Sequence, residues 1–302
     1  MRTLITGGTG LIGRQFSNGI KIGRKDYDLL DESQVIQMYE TIQPTHVIHT
    51  AARVGGIKAN MDHLADFYYE NIKSNSLVIH YAHVYGVKKL IAFSSTCVFP
   101  QTPHYPLTED QMHLSPPHPS NYAYAYAKRM VDIQIQAYHH QYHCPYFSVI
   151  PASVYGPHDN FHLEDAHVIP ALIHKVHVAQ QKNEALTVWG SGKAEREFVF
   201  SKDVAHICEL LIEKHNGPDP VIISQGVGGD VSIEELVVTI CELYGFKNKI
   251  IFDSSQPEGQ LKKPSSNERL LSIIGPYSFI PLREGLSETI EWFKRSYPNV
   301  RK

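Results

Sequence analysis

The chain has 302 residues, 42% of them apolar and 20% charged, with a formal net charge of -3. That length can bury a sizeable core, and the balance is that of an ordinary globular enzyme. It carries no large basic excess for nucleic acid or an anionic membrane surface, so neither is an expected partner.

In chain order, Thr3-Leu4-Ile5-Thr6 reads as a short buried strand, followed at once by Gly7, Gly10 and Gly13, with Leu11-Ile12 leading into a helix. This spacing suits a dinucleotide: the first glycine makes a tight turn, the second admits a pyrophosphate, and the third packs the helix closely. The phosphates would lie at the helix N-terminus. An ordinary tight loop is the plain alternative, and the position at the first strand of a βαβ chain argues against it. NAD-preferring sites usually carry an acidic residue ~20 positions on. Here that region holds Arg24-Lys25 with Asp26 just beyond, and Arg14 lies beside the last glycine. Two cations facing a 2′-phosphate predict NADP(H) as cofactor.

Further apolar runs follow at His46–His49, ending in Ala51-Ala52, at Lys89–Phe93, ending in Ser94-Ser95-Thr96, and at Tyr146–Ile150, followed by Pro151. Helix-compatible stretches, among them Asp66–Tyr85 and Tyr124–Tyr138, lie between them. Strands alternating with helices of this length predict an α/β fold with a doubly wound parallel sheet, whose ligands bind at the carboxyl ends of the strands. After Gly156-Pro157 the pattern loosens. Helices are expected at Val168–Gln180, Ser201–His215 and Ile233–Tyr244, with a strand pair formed by Leu186–Trp189 and Glu197–Phe200. Residues 1–156 are therefore expected to form mainly the dinucleotide-binding domain. Residues 157–302 are expected to form mainly a smaller mixed α/β substrate lobe, with segments such as Pro218–Ile223 returning to the first domain. The opening residues lack a signal-peptide pattern, and the four cysteines lack metal-ligand or disulfide-scaffold spacing. Reduced thiols, a cytoplasmic location and no bound metal are expected.

Tyr124 and Lys128 stand one helical turn apart, so they share a face. An ammonium there can lower a phenol's pKa and make it a proton donor, while Ser95, at the end of the preceding strand, can polarise a carbonyl. Tyr122 and Tyr126 lie in the same aromatic run, but neither has a lysine four residues on.

The chain resembles the GDP-L-fucose synthase family of extended short-chain dehydrogenase/reductases over nearly its whole length. The resemblance is carried by Pro44–His49, Val54-Gly55-Gly56, Ser95–Pro100, Tyr124–Met130, Gly156–Phe161, His167–Pro170, Leu186–Gly190 and the stretch from Asp253 to Lys263. It implies a Rossmann-like sheet, an NADPH cofactor, GDP-4-keto-6-deoxy-D-mannose as substrate and a homodimer. The implied reaction is 3,5-epimerisation followed by reduction at C4. Carried over onto matching positions, Ser95, Tyr124 and Lys128 would form the reductase centre, and Cys97 and His167 would share the acid and base steps of epimerisation. The cofactor would meet Gly7, Gly10, Leu11, Ile12, Gly13, Arg14 and Arg24, then Ala51, Ala52, Tyr124, Lys128, Pro151, Val154 and His167. The GDP-sugar would meet Asn160, Val168, Lys175, Trp189, Arg196 and Lys263.

Some residues depart from the pattern. Arg53 stands where many bacterial relatives have lysine before Val-Gly-Gly, and the stretch around the second strand is short. Other chemistries on such a fold fit less well. A 4,6-dehydratase would put an acidic pair after Thr96, where Cys97-Val98 stands, and a 4-epimerase has no use for Cys97 and His167. Nor would a noncatalytic dinucleotide sensor need Ser95, Tyr124 and Lys128. A reductase for a related GDP-4-keto-heptose remains the alternative, since the same carbonyl site would accept a bulkier C6 substituent.

Overall fold

The computed structural model describes residues 1–163, 165–255 and 261–301. Residues 256–260 of the Asp253–Lys263 motif lie outside them. The first half runs β1 (Thr3–Thr6), β2 (Ile20–Ile22), α1 (Glu32–Ile42), β3 (His46–His49), α2 (Ile57–Asp62), α3 (Leu64–Val84), β4 (Lys89–Phe93), α4 (Tyr122–Tyr142), β5 (Tyr146–Pro151) and β6 (Ser153–Tyr155). The second half runs α5 (Val168–Lys182), β7 (Leu186–Trp189), β8 (Glu195–Phe200), α6 (Ser201–Lys214), β9 (Val221–Ile223) and β10 (Asp230–Ser232). It ends with α7 (Ile233–Tyr244), β11 (Ile250–Asp253), α8 (Glu268–Ile274) and α9 (Leu282–Ser296).

Six strands form one parallel sheet in the order β2-β1-β3-β4-β5-β9. Every residue of β4 and β5 is buried, as expected for parallel strands covered on both faces. One face packs Leu4, Val47, Leu90 and Tyr146 against Tyr39 of α1, Val78 and Ile79 of α3, and Val131 of α4. The other packs Ile5, Ile48, Ile91 and Phe147 against Val204, Cys208 and Leu211 of α6 and Leu270 of α8. The chain leaves β1 toward β2 on one side and resumes with β3 on the other, which opens a crevice at the strand ends between β1 and β3. A separate core joins α5, α7 and α9 to β7 and β8, beside two small sheets ordered β10-β8-β6 and β11-β7.

The predicted doubly wound sheet is present, and Val221–Ile223 returns to it as β9, beside β5. Two local expectations fail. The segments at Leu186–Trp189 and Glu195–Phe200 are both strands but do not pair: β7 lies parallel to β11, and β8 lies between β10 and β6. Nor does the glycine turn open an α-helix. Gly13–Gln15 make a single 3-10 turn, and Phe16 is already extended at φ -63 and ψ 131. Only residues 14–19 separate Gly13 from β2, and that is too short for an α-helix and a return to the sheet. Phe16, 2% exposed, fills the gap in the core beside α6.

Candidate active site

At the carboxyl end of β1 the glycines divide into two kinds. Gly7 adopts φ 67, and a Cβ there would lie 2.8 Å from Ala51 N; a Cβ on Gly13 would lie 2.7 Å from Gly8 Cα. The fold itself requires both. A Cβ on Gly10 would meet a single atom within 4 Å, Gly7 O at 3.3 Å, so this position is far less enclosed than the other two. Space on that side is what a pyrophosphate needs, and the turn therefore fits a dinucleotide. The expected help from a helix N-terminus is largely missing, because one 3-10 turn carries little macrodipole. Leu11 and Ile12 are half-buried on this turn, and Ala51 and Ala52 line the end of β3.

Basic residues follow the glycine turn and β2. Arg14 donates through Nε to Thr9 O (2.9 Å), and Lys21 Nζ donates to Arg14 O (3.0 Å). Arg24 and Lys25 are exposed in the turn after β2. Asp26 folds back and accepts from Gly23 N at 2.8 Å. This carboxylate caps its own turn.

Five expected residues meet beyond β4. Ser95 caps a 3-10 turn at Thr96–Val98 and accepts from Cys97 N at 3.5 Å. α4 brings in Tyr124 and Lys128. Lys128 is 2% exposed, donates to Phe93 O at 2.8 Å, and lies 5.9 Å from the Tyr124 ring centroid. Lys263 arrives from the far end of the chain and donates to Thr96 O at 3.2 Å. Burial raises the Cys97 thiol, while Ser95, Lys263 and Lys128 pull it back. Burial lowers Lys128 to about 8, against the pull of Cys97.

Tyr124 departs from the simple expectation. Burial pushes its phenol well up, the nearby Cys97 pushes the same way, and only a hydrogen bond with Ser95 opposes them. Desolvation outweighs the expected lowering by the ammonium. The phenol stays protonated, as a group that donates a proton must be, and it lies within reach of Ser95, which can bind the same oxygen.

The remaining expected residues lie on other elements. His167 is exposed at the N-cap of α5 without capping it, on a different element from Cys97. Val168 starts α5 and packs against the second core. Lys175 lies over the Trp189 ring, its Nζ 4.9 Å from the centroid, and burial lowers its pKa. Arg196 donates to Glu195 O at 2.7 Å. Asn160 accepts from His162 N at 3.1 Å. Pro151 closes β5, and Val154 lies in β6. Arg53 is held by Glu70 and, at 3.5 Å, by Asp66, so its charge is spent on α3.

One residue of interest escaped the sequence reading. Asp159 is 7% exposed; one oxygen accepts from Asn160 N at 2.7 Å, and Oδ2 has no hydrogen-bond partner among the described residues. Burial raises its pKa, and the charge of His167 lowers it. The signal was present in Gly156–Phe161, where Asp159 stands beside Asn160, already singled out.

Comparison with known proteins agrees with this geometry. Residues 3–224 match the model of the NAD dependent epimerase/dehydratase family. The chain is 41% identical to a GDP-L-fucose synthase from Dictyostelium discoideum, over 99% of this chain and 97% of that protein. It superposes on a GDP-L-fucose synthetase from Naegleria fowleri bound to NADP with a TM-score of 0.95, at 38% identity, covering 99% of this chain and 94% of the other. A GDP-mannoheptose C4 reductase from Campylobacter jejuni with NADP bound gives 0.87 at 26% identity, covering 97% and 98%. On these matches the chain belongs to the NAD dependent epimerase/dehydratase family, within its GDP-L-fucose synthase branch.

Proposed function

We propose that the chain converts GDP-4-keto-6-deoxy-D-mannose to GDP-L-fucose, by epimerisation at C3 and C5 and then NADPH-dependent reduction at C4. The observation that carries the reading is the meeting of Cys97 with Ser95, Tyr124, Lys128 and Lys263 at the end of β4. A reductase alone has use for the serine, tyrosine and first lysine, whereas a thiol drawn down by two nearby ammonium groups suits proton transfer at carbon.

The C4 ketone acidifies the protons on C3 and C5, so a base can remove each and an acid can return it on the opposite face. Cys97 and His167 share those steps, approaching from different elements. Ser95 and Tyr124 bind the C4 oxygen, and Tyr124 gives it a proton as reduction completes. Lys128 fixes the end of β4 through Phe93 O and supplies positive charge beside that oxygen. The glycine turn with Arg14, Arg24, Ala51 and Ala52 holds the cofactor, together with Lys128, Pro151, Val154 and His167. NADPH, when bound, supplies the hydride. Asn160, Val168, Lys175, Trp189, Arg196 and Lys263 hold the GDP-sugar; Trp189, 49% exposed beside Lys175, offers a face for a base and a cation for its phosphates.

On this reading residues 1–156 are mainly the cofactor domain and 157–302 mainly the sugar-nucleotide lobe, with β9, α6 and α8 returning to the first. The working unit is a homodimer built on α3 and α4. There a shallow depression of ≈ 530 Å³ is lined by Leu64, Ala65, Tyr68, Tyr122, Tyr126 and Met130. The proposed location is cytoplasmic, supported by four free cysteines. No described helix is long and apolar enough to cross a membrane.

The test is incubation with GDP-4-keto-6-deoxy-D-mannose and NADPH in heavy water, with NMR of the product. GDP-L-fucose carrying deuterium at C3 and C5 is expected, and reduction without inversion would overturn the epimerase steps. The likeness to the heptose reductase favours one rival reading, and faster turnover of a GDP-4-keto-heptose would decide for it.

A further inference from the structure

The segment from Leu261 to Ser266 is a strap between the two lobes. On one side it is tied to β8: Glu195 N donates to Leu261 O at 2.7 Å, and Lys262 Nζ meets Glu195 at 2.6 Å. On the other it is tied to Leu107, whose N–H donates to Pro264 O at 2.9 Å and whose carbonyl accepts from Ser266 N at 2.8 Å. Leu107 packs with Val98, Phe99, Ile150 and Ile222 on the first lobe. Between these ties Lys263 reaches Thr96 O, one residue before Cys97.

The strap's register depends on one buried carboxylate. Ser265 is fully buried and Glu197 is 4% exposed. Ser265 N donates to Glu197 Oε1 at 3.3 Å, and the Ser265 hydroxyl donates to Oε2. Across the β8–β10 pair Glu197 stands opposite Asp230. The groups acting on Asp230 are Lys262 and Arg196, which favour its charge, and Glu195, which opposes it. Burying a carboxylate beside another is costly. Here burial, with Asp230 adding to it, raises Glu197 to about 7, while the Ser265 hydrogen bonds pull the other way. A leucine would fill the site without that cost, so packing alone does not account for the glutamate.

We propose that Glu197 is a positioning residue of the keto-sugar site, fixing Ser265 so that the strap delivers Lys263 to the Thr96 carbonyl beside Cys97. The inference rests on the substrate reading above only for its catalytic consequence. Its structural content is the chain of contacts from Glu197 through Ser265 to Lys263, whose ammonium lowers the Cys97 thiol against burial.

The first readout is the Cys97 thiol in the full-length protein. Alkylation by iodoacetamide is followed across pH by mass spectrometry of the Cys97 peptide, without any sugar nucleotide. Glu197→Leu and Lys263→Met are each expected to move the alkylation profile to higher pH by roughly 1 unit, the loss of one nearby cation. The double variant is expected to move it no further. Glu197→Gln keeps an oxygen for Ser265 N–H and is expected to stay near the parent profile, and Ser265→Ala to fall between. In turnover, Glu197→Leu is expected to raise KM for the keto-sugar several-fold with the Kd for NADPH unchanged. An unmoved Cys97 profile in folded Glu197→Leu, with Lys263→Met shifted, overturns the proposal, as do additive shifts in the double variant. A shifted profile in a protein that does not turn over the keto-sugar keeps the positioning role and sinks the substrate reading.

Discussion

Tyr124 and Lys128 illustrate how far a pair of side chains can be read from spacing. One helical turn puts them on a common face, and α4 does hold them together against Ser95 and Cys97. What spacing could not give is the sign of the tyrosine's shift, because burial is a property of the surrounding lobes. A phenol held protonated is a donor to the reduced oxygen and plays no part in abstracting carbon protons. Tyr124→Phe is therefore expected to slow NADPH oxidation by roughly 10²–10⁴-fold, while deuterium exchange at C3 and C5, read by NMR in heavy water, persists. Loss of exchange along with reduction would put Tyr124 in both reactions. Lys128 gives a pH prediction of its own. Its ammonium, depressed to about 8 by burial, is charged below that pH and neutral above it. The kcat/KM for reduction is expected to fall as pH rises through about 8, and Lys128→Arg, which stays charged, should remove that descending limb.

Among the elements, α7 was legible to the residue. Ser232 and Glu235 form a capping box, and Gly245 ends the helix in the left-handed region at φ 77, all signals within a few residues of the ends. Pairing between strands is not local. β7 finds β11 more than sixty residues later and β8 finds β10 and β6, so two plausible neighbours in sequence were wrongly joined. Glu197 and Ser265 were invisible for the same reason. The glycine turn failed differently: the motif was right, but residues 14–19 do not leave room for the helix that usually follows it. Phe16 stands in for that helix against Ile5, Ile48 and α6. Phe16→Ala should cost about 3–5 kcal/mol, read as a lower denaturant midpoint with unchanged slope. A cost under 1 kcal/mol would mean that α6 covers the sheet unaided.

For the whole molecule, the face between α3 and α4 carries the assembly prediction. Tyr68, Tyr122 and Tyr126 are 41%, 46% and 37% exposed there, a clustered apolar patch of the kind that marks an interaction surface. Tyr68→Asp combined with Met130→Asp is expected to convert a dimer to a monomer in analytical ultracentrifugation with the far-ultraviolet dichroism unchanged. A parent protein that sediments as a monomer would leave this face without its proposed partner.

The place of β9 has a consequence for how the chain is made. It completes the main sheet beside β5, yet it spans Val221–Ile223, and α6, which covers the same face, begins at Ser201. On the ribosome, β5 would emerge and wait as an open edge while β6, α5, β7, β8 and α6 are synthesised. Such an edge is a template for pairing with a neighbouring chain. The protein's exposure to aggregation is thus concentrated in the interval between synthesis of β5 and of β9, and slowing translation within that interval is the change to which its yield should be most sensitive.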